Sequence, residues 1–250
     1  MDNINFGYKK VPYEEKTGMV KEVFNQVAPY YDIMNDVMSF GLHRIWKNIF
    51  VNKIKAARSS NLLDVAGGTG DIAFRFLKSY KDVKVTICDI NNEMLNAGKQ
   101  KSIDENLFFN NKNHQVDWLC ANAEDLPVAD NSYDYYTIAF GIRNVTNISK
   151  ALKEAYRVLK PGGRFLCLEF SHVDNIILQK LYDFYSFKVI PKLGEIIAKD
   201  SDSYNYLVES IRLFPEQENF KKMIEASGFE EVTYENMNGG VVAIHSGWKI

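Results

Sequence analysis

Leu62-Leu63-Asp64-Val65-Ala66-Gly67-Gly68-Thr69-Gly70-Asp71 carries a short apolar run with an acid inside it, then a glycine cluster, then the start of a helical pattern. That order predicts a strand, a tight turn and a helix. Glycines let backbone approach a ligand without interference from Cβ. The N–H groups that open a helix have no partner within it and face outward. The loop therefore reads as a cradle for a nucleotide-like molecule.

Details of the loop narrow the ligand. A dinucleotide fingerprint spaces its glycines G-x-G-x-x-G. Here they stand at Gly67, Gly68 and Gly70, and Asp71 follows directly. An acid favours the helix start but repels a pyrophosphate seated there, so the spacing points to a ligand without phosphates. Val83–Cys88 reads as the next strand, with Asp89 at its end, 19 positions after Gly70. An acid ~20 residues on is where this kind of fold reaches ribose hydroxyls, and a carboxylate accepts both O–H bonds of a diol. The alternative for Asp89 is a cap on the helix that begins near Asn92.

Composition sets the class. The chain has 250 residues, enough for one large domain with a full core. With 30 basic and 32 acidic residues it is nearly neutral, which argues against nucleic acid or an anionic membrane as a main electrostatic partner. Cys88, Cys120 and Cys167 fall in or at the end of apolar runs and read as free buried thiols of a reducing compartment. No uncharged apolar run is long enough to span a bilayer. No histidine, cysteine and acid cluster has metal-site spacing, so no metal is expected.

Strands and helices alternate. Helical periodicity covers Thr17–Val27, Leu42–Ala57, Asp71–Tyr80, Asn92–Ile103 and Ile148–Leu159. Strands are predicted at Asn61–Ala66, Val83–Cys88, Gln115–Cys120, Tyr133–Phe140 and Arg164–Phe170, with Lys160-Pro161-Gly162-Gly163 as a helix stop. Gly228–Glu235 and Val241–Ile244 are two further strands with too short a link for a helical crossover, so they should be antiparallel. The expected fold is α/β: a doubly wound, mostly parallel seven-stranded sheet with an antiparallel last strand. Residues 1–60 form an N-terminal helical lid segment, and residues 61–250 the ligand-binding domain.

In open α/β sheets ligands sit outside the carboxyl ends of the strands. Those ends hold the glycine loop, Asp89, Asn122-Ala123-Glu124-Asp125, Gly141-Ile142-Arg143-Asn144 and Glu169-Phe170-Ser171-His172. Asn122 can donate and accept at an adenine edge, or serve only as a turn residue.

The glycine loop, the acid Asp89, Asn122–Pro127, Asn131–Asp134 and Leu159–Gly163 together resemble class I S-adenosylmethionine methyltransferases, a Rossmann-like group. Tyr30–Asp36, Gly41–Lys47, Phe140–Val145 and Gly239–Lys249 narrow the resemblance to the UbiE-type quinone C-methyltransferases, over about Phe24 to the C-terminus. The resemblance implies methyl transfer from S-adenosylmethionine to a ring carbon of a polyprenyl benzoquinol or of demethylmenaquinol. It implies that Gly67, Thr69, Gly70, Asp89, Asn122 and Ala123 bind the cofactor, and that Tyr31, Arg143 and Asn144 face the ring. Ala139 departs from relatives that carry serine there.

A sulfonium methyl is already activated, so the ring carbon is the weak partner. Ionising a ring hydroxyl enriches that carbon, and a phenol pKa near ~10 must be lowered. Arg143 stays protonated and so is expected to stabilise the phenolate and orient a water, with Asn144 and Tyr31 holding the water or the ring oxygen. An ion pair is the alternative for Arg143, and a packing role for Tyr31. His43, His172 and His245 are candidates for proton transfer, His172 first, although a structural role is favoured for each. Residues 171–214 are apolar on more than one face but interrupted by Lys180, Asp183 and Lys188. They are expected to form a substrate lid that walls an isoprenoid tail or touches a membrane surface, or alternatively to pack in the core or in a homodimer. The resemblance places the protein in a bacterial cytoplasm, peripheral on the inner membrane, or on the matrix side in a mitochondrion. Rival readings are methylation of another small phenol and a non-catalytic cofactor-binding subunit of a quinone-synthesis complex. A nicotinamide dehydrogenase is expected to fail on the loop spacing and on Asp71.

Overall fold

The computed structural model describes residues 3–27, 33, 35–36, 39–104, 114–173, 179–180, 182, 184–192, 195 and 201–250. Tyr31 and much of the 171–214 segment lie outside the described residues. The chain opens with a hairpin that the sequence reading did not assign, β1 (Asn3–Phe6) against antiparallel β2 (Lys9–Pro12). Helices α1 (Tyr13–Val27) and α2 (Leu42–Ile54) lie after it. Then come β3 (Asn61–Val65), α3 (Asp71–Ser79), β4 (Val83–Asp89), α4 (Asn92–Asp104), β5 (His114–Cys120) and β6 (Tyr133–Ala139). A 3-10 turn at Ile142–Asn144 leads to α5 (Ile148–Val158) and β7 (Leu159–Phe170). The chain closes with α6 (Ser201–Leu213), α7 (Gln217–Glu225), β8 (Glu230–Met237) and β9 (Val242–Trp248).

The main sheet has seven strands in the order β5-β4-β3-β6-β7-β9-β8. Pairings from β5 to β7 are parallel, and β9 runs antiparallel to both β7 and β8. The expected sheet is therefore present, with β9 inserted between β7 and the edge strand β8. Successive strand residues point to opposite faces, which divides the core into two layers. Leu62 packs on one side with Phe50 of α2, Phe76 of α3 and Leu207 of α6. Its neighbour Leu63 packs on the other with Leu152 of α5 and Phe220 of α7.

Two expectations are corrected. Lys160-Pro161-Gly162-Gly163 ends α5 as expected, yet it also belongs to β7: Leu159 pairs with Tyr133, and the register shifts before Arg164 meets Tyr135. Pro161 is tolerated because an irregular stretch at a strand start has no regular ladder donor to lose, and Gly162 N–H and Gly163 C=O pair instead with Lys249. Cys88 and Cys167 are buried, but Cys120 is exposed. It ends β5, an edge strand. Among the described residues no helix is long and apolar enough to cross a membrane.

Two tests follow from the packing. A Cβ on Gly98 of α4 would lie 2.8 Å from the Trp118 ring and 2.9 Å from the Thr69 carbonyl oxygen. Gly98→Ala is expected to cost about 1–3 kcal/mol by overpacking, read as a lower denaturant midpoint, and to weaken ligand binding at the displaced loop. His245 of β9 is buried, with Nε2 3.0 Å from the Gln217 carbonyl oxygen. Burial lowers its pKa from 6.5 to about 4. The unfolded chain thus takes up a proton before the folded one does. This residue's contribution to stability is full above pH 6.5 and is lost as pH falls toward 4. Urea unfolding of wild type and His245→Gln between pH 7 and 4.5 is expected to show the steeper decline in wild type.

Candidate functional site

The carboxyl edge of the sheet is where the turns after β3, β4, β5 and β6 converge. At the end of β3 the backbone enters the left-handed region at Ala66, φ 51°, and again at Gly68, φ 53°. The turn after β6 does the same at Phe140, φ 57°. Non-glycine residues held there are strained and need surrounding contacts to keep them so. One such contact is the approach of Gly141 to Ala66: a Cβ at position 141 would collide with the Ala66 methyl. The two turns are thereby fixed against each other.

Asp89 joins the first turn to the second. Its Oδ2 accepts the Gly68 N–H at 2.9 Å, and its Oδ1 accepts the Asn91 N–H at 2.8 Å. Burial raises its pKa, opposed by the N–H groups of Asn91, Gly68 and Ile90. Asp89 does not cap α4. Asn91 does, its Oδ1 accepting the Glu93 N–H at 3.0 Å. Asp89 keeps lone pairs for a diol, because each oxygen can accept more than one bond.

Asp71 stands differently from its sequence reading. Lys47 Nζ reaches one carboxylate oxygen at 2.8 Å and Arg75 Nε the other at 2.8 Å. Burial alone would raise its pKa, but the charge and bond of Lys47, then those of Arg75, hold it well below the usual carboxylate range. Two cations cancel the field that was expected to repel a pyrophosphate. The Asp89 carboxylate lies on the cleft wall.

A cleft of about 780 Å³ lies over these turns. Ala66, Gly68, Asp89, Asn122, Ala123 and Asn144 line it. Gly67, Thr69 and Gly70 are not on its wall. They shape the turn: Gly67 N–H bonds the Cys88 carbonyl, Gly70 N–H bonds the Gly67 carbonyl, and the Thr69 carbonyl faces α4. Asn122 does both things the sequence allowed. It lines the cleft and makes a turn, its Oδ1 accepting the Glu124 N–H at 3.0 Å. Helix α1 supplies the outer wall through Thr17, Val20 and Phe24. It is tied across the cleft at both ends, Asn25 to Asn91 at 2.8 Å and Thr17 to Thr146 at 2.9 Å. None of these α1 residues was singled out in the sequence, since an amphipathic helix does not announce what it covers.

Arg143 and Asn144 sit side by side but face different spaces. Asn144 borders the cleft; its Oδ1 accepts the Tyr206 hydroxyl at 3.1 Å, and its buried Nδ2 has no hydrogen-bond partner among the described residues. Arg143 is buried and turns into a second chamber of about 580 Å³. One Nη bonds Glu169 Oε1 at 2.7 Å and the Phe140 carbonyl oxygen at 2.6 Å. Its Nε has no partner among the described residues. The sequence allowed a surface ion pair here; the pair with Glu169 is instead fully buried. Burial raises the pKa of Glu169 against the opposing charge of Arg143. The two chambers share Val145 and Thr146 as a common wall.

The histidines are structural neighbours of the site. His172 Nε2 lies 2.8 Å from the Phe214 carbonyl oxygen, His245 bonds Gln217, and His43 Nε2 lies 2.9 Å from Asp36. None of them lines either chamber. Among the described residues no group of three or more histidine, cysteine or acidic side chains could hold a metal ion.

Comparison with known proteins agrees with this geometry. The profile of the ubiE/COQ5 methyltransferase family matches residues 10–249. The chain is 57% identical over 254 residues, covering all of both chains, to the ubiquinone/menaquinone biosynthesis C-methyltransferase UbiE of Rickettsia prowazekii. It is 51% identical to the mitochondrial 2-methoxy-6-polyprenyl-1,4-benzoquinol methylase of Bos taurus, over 98% of this chain and 83% of that one. In fold it is similar to a SAM-dependent methyltransferase of Thermotoga maritima, with a TM-score of 0.63 and 19% identity over 92% of this chain and 99% of that one. The chain belongs to the ubiE/COQ5 methyltransferase family.

Proposed function

We propose that this protein transfers the methyl group of S-adenosylmethionine to a ring carbon of a polyprenyl quinol, either 2-methoxy-6-polyprenyl-1,4-benzoquinol or demethylmenaquinol. Membership in the family along nearly the whole chain is the observation that carries this reading. The cleft fits the cofactor: Asp89 offers a carboxylate for a ribose diol, and Asn122 and Ala123 border the space for an adenine. When bound, the cofactor supplies a sulfonium methyl; the ring carbon takes the CH3, the sulfur keeps the bonding pair, and the ring then loses its C–H proton to water.

The chain's own residues then have assignable work. Gly67, Thr69 and Gly70 set the turn that brings Gly68 and Asp89 to the cofactor. Asn144 donates its unpartnered amide N–H to a ring oxygen or an ordered water at the border of the two chambers. Arg143 stabilises the phenolate from the second chamber, and Glu169 holds its guanidinium in place. Tyr31 lies outside the described residues and is proposed to face the ring from the family resemblance alone.

A polyprenyl tail partitions into lipid, so contact with a membrane surface is part of this reading. Exposed Phe40 stacks on Tyr185 at 4.5 Å, and Phe184, Phe187, Ile45 and Ile49 are also exposed, which supports an apolar contact face.

The decisive assay combines purified protein, labelled S-adenosylmethionine and demethylated quinols of both ring types. Labelled product on at least one ring type is expected, and absence of product on both overturns the substrate assignment. A second test separates the roles of the buried pair. Arg143→Met alone leaves Glu169 uncompensated and is expected to cost about 3–5 kcal/mol of stability. Adding Glu169→Gln is expected to restore the denaturation midpoint and cofactor affinity but not turnover. Recovery of turnover in the double variant would remove Arg143 from the chemistry.

A further inference from the structure

The second chamber contains a cation that the reading above leaves without work. Lys16 lies in the run Tyr13-Glu14-Glu15-Lys16 at the start of α1. Its three neighbours are exposed, but Lys16 is only 7% exposed. Among the described residues its one hydrogen bond is long, from Nζ to the Val145 carbonyl oxygen at 3.4 Å, and no carboxylate lies within salt-bridge distance. Yet it lines the same 580 Å³ chamber as Arg143. A buried ammonium without a close anion is costly. Here the cost is not relieved within the protein: burial lowers its pKa, and the more distant Glu124 raises it only in part.

The surroundings identify what would relieve it. Groups facing Lys16 come from every neighbouring element. Glu124 follows β5 and already accepts the Asn147 N–H at 2.9 Å and the Tyr13 hydroxyl at 3.4 Å. Arg143 follows β6 and is neutralised by Glu169 of β7. Tyr206 of α6 donates its hydroxyl to Asn144, and burial pushes its own ionisation well above the usual tyrosine range. None of these supplies an anion to the chamber. The hairpin of β1 and β2 borders the chamber through Ile4, Asn5 and Gly7 and is held to α6: Phe6 stacks on Tyr206 at 4.3 Å, and the Tyr8 N–H bonds Glu209 at 2.8 Å. A cation-lined chamber bordered by apolar Ile148, Leu213 and Phe214 suits an aromatic ring carrying one oxygen that becomes negative.

We propose that Lys16 is a second catalytic cation, whose ammonium donates a hydrogen bond to the ring hydroxyl oxygen as that oxygen ionises in the chamber it shares with Arg143. The assignment rests on the quinol reading and adds to it a ring-facing residue on α1. The hydroxyl proton leaves to water in the chamber. Lys16 keeps its own protons throughout and acts only by charge and by its hydrogen bond. A fixed, buried donor stabilises an oxyanion more than the same donor does in solution.

The test reads ionisation directly. A prenylated 4-nitrophenol, whose phenolate absorbs in the visible, is titrated into cofactor-loaded wild type and Lys16→Met across pH. The bound phenol is expected to ionise about one pH unit higher in the variant, tenfold in equilibrium constant. Turnover of the quinol at pH 7 is expected to fall about 100-fold in kcat/KM, the scale of one lost oxyanion donor, with cofactor affinity unchanged. Lys16→Arg is expected to recover most of both, and the Lys16→Met defect to shrink on rings with more acidic hydroxyls. Should Lys16→Met not fold, Lys16→Gln makes the same comparison. Equal ionisation of the bound phenol in variant and wild type overturns the proposal, as does a rate loss accounted for by weaker cofactor binding. A wild type that methylates no quinol overturns instead the reading beneath it.

Discussion

The buried Arg143–Glu169 pair is the interaction on which the carboxyl edge depends. Both side chains are almost wholly excluded from solvent, and together they bind the turn after β6 to the end of β7. Such a pair is poor value as a stabiliser, because desolvating two charges offsets most of their attraction. Its worth is geometric. Glu169 also accepts its neighbour's N–H, from Phe170 at 2.9 Å, so the carboxylate cannot swing away. Arg143 caps the Phe140 carbonyl in turn, at the one residue of β6's exit held in the left-handed region. The pair thus adds to the Gly141–Ala66 contact and the backbone bonds of the turn in holding the strained stretch that presents Asn144 to the cleft.

Charge compensation of the same kind runs along the other turns. Asp71 is neutralised by Lys47 and Arg75, which ties α2 to the start of α3. Asp89 is held by backbone N–H groups rather than by a cation. The distinction has a consequence for ligand choice. An acid already paired with two cations exerts little field, whereas one held only by amides still presents its negative charge to whatever enters. An uncharged diol would offer the Asp89 carboxylate two hydrogen-bond donors.

Sequence alone disclosed the parallel sheet because its strands are short apolar runs and its loops are punctuated by glycine and acid; both signals are local. The short link before β9 disclosed the antiparallel strand on length alone. What stayed hidden was non-local. Ile4, Phe6 and Val11 alternate in the manner of a hairpin, but the strands are four residues each and too polar to stand out. Glu169 lies 26 residues from Arg143, and no local pattern says they meet. Lys16 follows two glutamates and no local pattern marks it, yet the helix register turns it inward while Tyr13, Glu14 and Glu15 stay out. Asp71 was read correctly as a helix-start acid and incorrectly as a free charge, because its partner Lys47 comes from a different helix.

The division into two chambers answers a difficulty built into the chemistry. A sulfonium and a phenolate attract each other, and an oxygen is a better nucleophile than a ring carbon, so an unrestrained pair would methylate the oxygen. In the proposed arrangement the cations beyond Val145 and Thr146 would draw the ring oxygen away from the cofactor. The oxygen's charge would then sit beside Arg143, and the electron density it releases would appear across the ring, at the carbon nearer the cleft. Asn144 stands where the two spaces meet, with its carbonyl oxygen held by Tyr206 and its amide unspent. A neutral donor is the appropriate group at that border: it can orient the ring without competing with the cations for the negative charge. In that arrangement carbon rather than oxygen selectivity would follow from where the positive charges lie, not from any change in the reactivity of the methyl donor.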